Sequence, residues 1–488
     1  MTIKLFNSLT RKKEEFKAVI DDTIRMYNCG PTVYTDSHIG NYRAYVFSDL
    51  LRRFFELEGD KVIQVMNITD VGHLTGDEDE TGEDKIQKRA DKEKLDPWKL
   101  TQKYTGAFFK DLDILKIERA EHYPKATETI KEMIEVIKQL LKKGYAYEKN
   151  GNVYFEIAKF KDYGKLSGIK VDELEQGERA VNDPNKKSQF DFALWFSNSK
   201  HKNHIMKWDS PWGEGYPGWH IECSTMSMKF LTDVFKTKEP DFTKFQTIDI
   251  HSGGEDNKFP HHESEIAQTQ GATDKKFSNF WMHVKHLIVN GEKMSKSLGN
   301  VYLIKDLIAK GYSAESIRFQ LLSTHYRQTL NFTFDGLSAA QANISRIQEA
   351  VDKLLDLKGE GESEYQELVN TYRDKFRDAL ADDLNVSEAL GVTFNFINEI
   401  NKLLTQKEIS MIDAGLFLIY FQDFNKIFDV LKFEKQVIPD EIFVLADQRK
   451  AAKSEKDFQS ADKIRAELQE QGYVIKDNKD GSYVVKRN

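Results

Sequence analysis

Hydrophobic and polar positions near the start of the chain follow two successive periods. Residues 23–27 alternate and end at a Cys-Gly-Pro turn, which predicts a short β-strand. Apolar side chains then recur at helical spacing, so we expect a helix from near Asn41 to near Gly59. A second apolar run at residues 61–68 predicts another strand. A strand, a helix and a strand at this spacing form a βαβ unit, and such units build a parallel sheet.

The pattern changes along the rest of the chain. Helical periodicity fills residues 98–147, with an apolar stripe typical of core packing at Tyr104, Phe108, Leu112 and Leu115. Residues 151–213 have poor periodicity, which indicates an insertion between two halves of a sheet domain. From Leu303 onward the pattern is almost wholly helical and predicts a bundle. A last module begins near Pro439, with two charged helices and a hairpin turned by residues 478–481.

Composition narrows the class of protein. A chain of 488 residues with 40% hydrophobic and 31% charged residues is typical of a soluble globular protein of several domains. Apolar runs are far shorter than a membrane span, and the first residues do not resemble a signal peptide. Two cysteines do not make a disulfide framework, which indicates a reducing cytoplasm. The net charge of −8 argues against a broad nonspecific grip on nucleic acid but leaves a local basic face open.

Four dispersed residues have the chemistry of a metal site. Cys29 and Cys223 each lie in a segment rich in glycine and aromatic residues, and His261 and Glu265 share one face of a helix. Two sulfurs, a nitrogen and an oxygen would suit Zn²⁺. Spacing alone leaves open that the cysteines are buried thiols and the His–Glu pair is a surface pair. A zinc hydrolase built on His261, His262 and Glu265 is disfavoured because a His-Glu-x-x-His motif is absent.

Other segments suit a nucleotide. His38, Gly40 and Asn41 lie at a predicted helix N-terminus, where amide groups and partial positive charge favour phosphate, although many such turns bind nothing. The chain has no P-loop motif. Lys293 and Lys296 lie in a loop of small residues and could neutralise a triphosphate, but an ordinary basic loop is the alternative. The turn at residues 253–256 carries a carboxylate, Asp256, that could accept ribose hydroxyls.

Together these motifs resemble a known enzyme class. His-Ile-Gly-Asn at residues 38–41 and Lys-Met-Ser-Lys-Ser at residues 293–297 resemble the two signatures of class I aminoacyl-tRNA synthetases, in the same order. Further segments are similar to the cysteinyl-tRNA synthetase family, at residues 28–34, 67–70, 218–223 and 259–265. The similarity extends from residue 5 to the C-terminal helices, which is essentially the whole chain.

The resemblance implies a fold and a set of domains. The fold would be α/β, with a class I Rossmann-like nucleotide-binding catalytic domain that contains an insertion, then a helical bundle and a small α+β anticodon-binding module. The expected parts are the first half of the catalytic domain at 1–150, the insertion at 151–213, the second half at 214–302, a stem-contact linker at 303–335, the tRNA-binding bundle at 336–435 and the anticodon-binding module at 436–488.

The resemblance also implies a reaction. The family activates L-cysteine with ATP to cysteinyl-adenylate and transfers it to the 3′ terminal adenosine of tRNA(Cys). One Zn²⁺ per chain would be held by Cys29, Cys223, His261 and Glu265. That ion would take the substrate thiolate, and because a serine hydroxyl is a poorer ligand, no editing domain would be needed. We further expect a cytoplasmic monomer with no membrane association.

Individual roles follow from the same resemblance. The cysteine pocket would be lined by Thr69, Trp219 and His220. Lys293 and Lys296 would stabilise the transition state as the cysteine carboxylate attacks the α-phosphate. ATP, bound with Mg²⁺, would contact His38, Gly40, Asn41, Asp256 and Lys296.

Some features depart from the pattern, and two other functions stay open. Asn41 replaces the final His of the class I signature, as is usual for this family, and Ser252 stands where a Gly is usual. Residues 72–82 and 231–246 look longer than expected, and residues 77–84 form an acidic run. One alternative is a ligase that joins activated cysteine to an amino sugar, which the module after Pro439 disfavours. The other is a nonenzymatic zinc-dependent RNA-binding protein, which the two intact signatures disfavour.

Overall fold

The computed structural model describes residues 1–71, 85–170, 186–197, 205–295, 297–358, 361–406, 408–434, 439–477 and 482–487. The acidic run, the longer segment after residue 71, the hairpin turn at 478–481 and Lys296 therefore lie outside the described residues. The chain forms two compact units. The first comprises residues 1–350 and 358–431, and the second comprises residues 351–357 and 432–488.

The predicted βαβ unit is confirmed at the N-terminus. Strands β1 (Lys4–Asn7) and β2 (Lys12–Glu15) form a hairpin, followed by β3 (Thr23–Asn28), α1 (Ile39–Glu58) and β4 (Lys61–Met66). Strands β3 and β4 pair in parallel. Helix α1 ends at Gly59, whose φ of 98° is favourable for glycine and stops the helix.

The next segment has helices and a second sheet. Helices α2 (Lys85–Glu93), α3 (Pro97–Ile114) and α4 (Ile130–Lys142) are followed by strands β5 (Ala146–Lys149), β6 (Asn152–Phe155), β7 (Phe192–Phe196) and β8 (Tyr216–Pro217). The predicted stripe on α3 is buried. The prediction that helical structure continues to residue 147 was wrong, because Gly144 has a φ of 76° and β5 pairs with β6. The antiparallel order is β5-β6-β7-β8.

The parallel sheet is completed by later strands. Helix α5 (Trp219–Leu231), strand β9 (Ile248–Gly254), helix α6 (His261–Thr273) and strand β10 (Ser278–Val284) follow in the chain. The sheet order is β10-β9-β3-β4, and every neighbouring pair is parallel. Strand β9 is buried over nearly its whole length, as expected for a central strand covered on both faces. The carboxyl ends of β3 and β9 therefore meet at one edge of the sheet.

The rest of the first unit is mainly helical, as predicted. Strands β11 (Leu287–Val289), β12 (Glu292–Lys293) and β13 (Leu330–Phe332) form a small sheet of order β12-β11-β13, with α7 (Ile304–Ala309) and α8 (Ala314–Leu322) between β12 and β13. Helices α9 (Phe334–Leu355), α10 (Gln366–Ala381), α11 (Val386–Gln406) and α12 (Met411–Phe428) follow, and the last five residues of α9 belong to the second unit. Strand β13 interrupts the predicted helical pattern because it pairs with the distant strand β11.

The second unit has its own small core. Helices α13 (Asp440–Ser454) and α14 (Phe458–Glu470) precede the antiparallel strands β14 (Tyr473–Asp477) and β15 (Tyr483–Arg487), which confirms the predicted helix pair and hairpin strands. Their apolar core consists of Ile442, Ala446, Leu468, Tyr473, Ile475 and Val485. In neither unit is a described helix both long and apolar enough to cross a membrane.

Candidate metal centre and nucleotide site

The structure brings the four predicted metal ligands together. Cys29 follows β3, Cys223 lies in α5, and His261 and Glu265 lie one turn apart on α6. One ligand atom from each residue lies within 4.8 Å of the other three. All four side chains are buried, and both cysteines are free thiols.

The backbone around Cys29 explains why this residue reaches the cluster. The Cys29 amide donates to the carbonyl of Ser252, 3.0 Å away, so the chain keeps pairing with β9 past the end of β3. The Gly30 amide donates to Asn67 Oδ1 at 2.8 Å. A Cβ at Gly30 would lie only 1.9 Å from the Asn67 carbonyl oxygen, so this close approach requires glycine.

Helices α5 and α6 position the His261 ring from two sides. The Trp219 ring stacks on His261 with centroids 4.2 Å apart, and His220 Nδ1 lies 2.8 Å from His261 Nδ1. The other ring nitrogen, Nε2, lies 3.1 Å from Glu265 Oε1. The contact at Nδ1 fixes the ring so that Nε2 faces the cluster, which is how proteins commonly orient metal-binding histidines.

Two further histidines adjoin the same cluster and were not predicted as part of it. A second set of four, Cys29, His251, His262 and Glu265, also has ligand atoms within 4.8 Å of one another. His262 Nε2 lies 3.1 Å from Cys29 Sγ, and His251 Nε2 lies 2.9 Å from Glu265 Oε2. Glu265 thus directs one oxygen towards His261 and the other towards His251.

The electrostatics of the cluster favour a bound cation. Burial raises the pKa of the Glu265 carboxyl and of the Cys223 thiol, and it lowers the pKa of His251 to about 4. Buried acids and thiols become anionic when a cation is close enough to offset the loss of hydration. Two sulfurs, a nitrogen and an oxygen at this spacing are compatible with Zn²⁺.

Two of the three predicted cysteine-pocket residues contact the cluster directly. Trp219 and His220 contact His261, as described above. Thr69 is buried, and its hydroxyl donates to Glu222 Oε2 at 2.8 Å. Glu222 is a fully buried carboxylate that sequence reasoning missed, and its Oε1 has no hydrogen-bond partner among the described residues. Its position directly before Cys223 was the available signal.

The predicted phosphate-binding residues form the start of α1. The Asn41 amide donates to His38 Nδ1 at 3.3 Å, and the His38 amide donates to Asn41 Oδ1 at 3.0 Å, which makes a capping box. Their predicted place at a helix N-terminus is therefore confirmed. A Cβ at Gly40 would lie 2.8 Å from the methyl carbon of Met294, so the loop after Lys293 packs against this turn. Asp256 is exposed in the turn that follows β9.

Comparison with known proteins assigns the family. The model for the "tRNA synthetases class I (C) catalytic domain" matches residues 15–342. The DALR domain model matches residues 375–432, and the model for the "Cysteinyl-tRNA ligase anticodon binding domain" matches residues 437–484. The cysteine–tRNA ligase of Chlorobaculum tepidum is 42% identical over 99% of this chain and 98% of its own length. The chain belongs to the cysteine–tRNA ligase family.

Other relatives agree with this assignment. The cysteine–tRNA ligase of Brachyspira hyodysenteriae is 42% identical over 98% of both chains, and that of Thermococcus onnurineus is 41% identical over 99% of this chain and 98% of its own. A solved structure of Mycobacterium tuberculosis methionyl-tRNA synthetase with methionyl-adenylate has a TM-score of 0.58 and covers 84% of this chain and 90% of its own. Its 12% identity makes it a likeness of fold alone. The predicted α/β fold of a class I synthetase with C-terminal helical domains is thereby confirmed.

Proposed function

We propose that this chain is a cysteine–tRNA ligase that activates L-cysteine with ATP and transfers it to the 3′ terminal adenosine of tRNA(Cys). The observation that carries the proposal is the buried cluster of two thiols, an imidazole and a carboxylate at the carboxyl edge of the parallel sheet. Ligands bind at this edge in open α/β sheets. Family membership supports the same reaction, because relatives that match nearly the whole chain are named cysteine–tRNA ligase.

The amino-acid end of the proposed site is the metal centre. Cys29, Cys223, His261 and Glu265 would hold one Zn²⁺ ion per chain. When bound, that ion would supply a soft Lewis acid that prefers a substrate thiolate to a serine hydroxyl. Trp219 and His220 hold the His261 ring, and burial of the four donors keeps water from competing for the site.

The remaining pocket residues would shape the space beside the metal centre. In the proposal, Thr69, Trp219 and His220 line the cysteine pocket. The side chain of Thr69 is held by its hydrogen bond to Glu222. Its backbone is joined to the loop that follows Cys29 by two hydrogen bonds of 3.0 Å. The Val33 amide donates to the Thr69 carbonyl, and the Thr69 amide donates to the Pro31 carbonyl. These bonds fix the pocket wall and the first metal ligand in one rigid piece.

The nucleotide end would lie at the start of α1. His38, Gly40 and Asn41 would contact ATP phosphates, where the helix N-terminus favours negative charge. Asp256 would accept ribose hydroxyls. Lys293 and Lys296 would stabilise the charge that develops as the cysteine carboxylate attacks the α-phosphate of ATP, which is expected to bind with Mg²⁺. The exposed Lys293 ends strand β12, and the packing of Met294 on Gly40 brings its loop to the phosphate-binding turn.

The rest of the chain would bind tRNA. We assign residues 1–150 and 214–302 to the catalytic domain, 151–213 to its insertion, 303–335 to a stem-contact linker, 336–435 to the tRNA-binding bundle and 436–488 to anticodon recognition. The match of residues 437–484 to an anticodon-binding model supports the last assignment. We further propose that the protein acts as a monomer in the cytoplasm.

One experiment separates this function from its rivals. Cysteine-dependent exchange between pyrophosphate and ATP should be present in zinc-replete protein, because adenylate formation is reversible. Its absence would exclude a synthetase and favour a nonenzymatic RNA-binding protein. If exchange occurs but tRNA is not charged, while an amino sugar accepts the cysteine, the amino-sugar ligase would be the correct function.

A further inference from the structure

Arg43 is a buried arginine one turn after the start of α1. Its side chain is 2% exposed, and Nη1 donates to the carbonyl of His286 at 2.9 Å. Nη2 donates to the carbonyls of Gln328, at 2.6 Å, and His325, at 3.4 Å. Burial lowers the pKa of Arg43 to about 10, with no carboxylate in the described chain to offset that effect. A buried charge that binds only main-chain carbonyls is costly, so the part of the fold that those carbonyls belong to indicates what Arg43 does.

The three carbonyls belong to the segments that begin a parallel strand pair. His286 directly precedes β11, and Gln328 lies just before β13. Strands β11 and β13 pair in parallel, and β11 pairs on its other edge with β12, where Ile288 lies opposite Lys293. Arg43 therefore holds the start of the small sheet whose far strand carries the first lysine of the signature loop.

A second anchor holds the other end of that loop to α1. The Ile39 amide donates to the carbonyl of Tyr302 at 3.0 Å, and Met294 packs against Gly40. Within the loop, Asn300 Oδ1 accepts from the Ser295 amide at 2.8 Å. The first turn of helix α1 thus contacts the loop itself, at Met294 and Tyr302. Arg43 holds the segment that precedes the loop, at His286.

We propose that Arg43 is a positioning residue for adenylate formation, which holds the β11–β12 hairpin so that Lys293 faces the phosphate-binding turn of α1. The inference rests on the proposed function and adds a residue that touches neither substrate nor metal. Its action is indirect: a planar guanidinium with fixed donors reaches carbonyls from two segments at once, which a lysine ammonium on a flexible stem cannot reproduce.

The matched variants are Arg43→Lys and Arg25→Lys. Arg25 is also buried, and it donates to the carbonyls of Leu231 and Thr247, at 3.0 and 2.7 Å. Neither of these carbonyls belongs to the small sheet β12-β11-β13. Hydrogen exchange of amides in β11, β12 and β13 should accelerate about tenfold or more in Arg43→Lys, because local opening becomes easier. The same amides should change by less than about twofold in Arg25→Lys. Equal exchange in wild type and Arg43→Lys would overturn the proposal.

A double-mutant cycle tests whether Arg43 acts through Lys293. In the wild-type background, Arg43→Lys should lower kcat for cysteine-dependent exchange by about tenfold to a hundredfold, with KM for cysteine unchanged, because a small displacement of a catalytic group is costly. In a Lys293→Ala background the same change should cost less than about threefold, because the group that it positions is gone. An equal loss in both backgrounds, or an equal loss in Arg25→Lys, would refute the proposal. If wild-type protein shows no exchange at all, the proposed function fails, while the hydrogen-exchange comparison still decides whether Arg43 holds the hairpin.

Discussion

Two adjacent aspartates between α10 and α11 should respond in opposite ways to the same change. Asp383 is 1% exposed and accepts hydrogen bonds from the Phe6 amide at 2.8 Å, the Tyr326 hydroxyl at 2.6 Å and Arg327 Nε at 2.7 Å. Asp382 is half exposed and forms one ion pair with Lys13, at 2.7 Å. The Asp383 carboxylate therefore links strand β1 and the segment before β13 to the helical bundle, whereas the Asp382 carboxylate is half exposed to solvent.

The expected cost of Asp383→Asn follows from these contacts. The amide oxygen can still accept from Phe6 and Tyr326, which both contact Oδ1, and asparagine tolerates the φ of 65° at this position. The new NH₂ group would face the Arg327 guanidinium, so a charge-assisted bond is lost and two donors are opposed. Such a loss costs about 2–4 kcal/mol, allowing for partial hydration of the half-exposed Arg327. Asp382→Asn should cost less than about 1 kcal/mol, as is usual for an exposed pair.

Tryptophan fluorescence during urea unfolding can measure both values. All 6 tryptophans lie between residues 98 and 281, in the first unit, so unfolding of the second unit does not contribute to the signal directly. The unfolding midpoint should fall clearly in Asp383→Asn, with the slope unchanged, and hardly at all in Asp382→Asn. Equal midpoints for the two variants would refute the reasoning that burial and bond number decide the cost.

Three other predictions concern the site and its surroundings. Cys223→Ser should lower zinc content and cysteine-dependent exchange together, and a normal content of one ion per chain would show that the ligand set is wrong. Lys293→Ala should lower kcat for exchange by about a hundredfold to a thousandfold. It should change the free energy of unfolding by no more than about 0.5 kcal/mol, because the side chain is exposed. A large loss of stability in this variant would indicate a structural role for Lys293 instead. Burial raises the pKa of Asp70 from 3.8 to about 6, although hydrogen bonds from Thr127 act in the opposite direction. Asp70 therefore stays protonated to a higher pH in the folded state than in the unfolded state. As a result, the free energy of unfolding should fall as pH rises from about 4 to about 6. Asp70→Asn should flatten that fall in urea midpoints measured across the same range, and an unchanged pH slope would contradict it.

Local pattern was enough to predict the elements that carry the phosphate-binding turn. The alternation of β3 and the helical spacing in α1 are set by neighbours within a few residues, so both elements and the place of His38 at the helix start followed from the sequence. Strands β5 and β13 were not predicted, because each depends on a partner that the local pattern does not reveal: β5 pairs across a turn with β6, and β13 pairs with the distant β11.

The same limit applies to the site. Cys29, Cys223 and the α6 pair were grouped by the ligand chemistry of their side chains. Their spacing alone left ordinary buried thiols as an alternative, and the family resemblance then favoured the zinc site. His251 joins the cluster only because its strand, β9, pairs with β3, and His262 only because α6 brings its ring to Cys29. Glu222 likewise contacts Thr69 across a large sequence separation. Contacts of this kind depend on topology, which no periodicity in the chain encodes.

In the proposed function, a buried cluster of two thiols, an imidazole and a carboxylate selects cysteine by holding zinc. The most direct measurement is aminoacylation of tRNA with cysteine and with serine, in protein as purified, after removal of metal by a chelator, and after Zn²⁺ is restored. We predict that cysteine is attached and serine is not, that charging with cysteine is lost without metal, and that added Zn²⁺ restores it. Undiminished charging with cysteine by metal-free protein, or comparable charging with serine, would contradict this prediction.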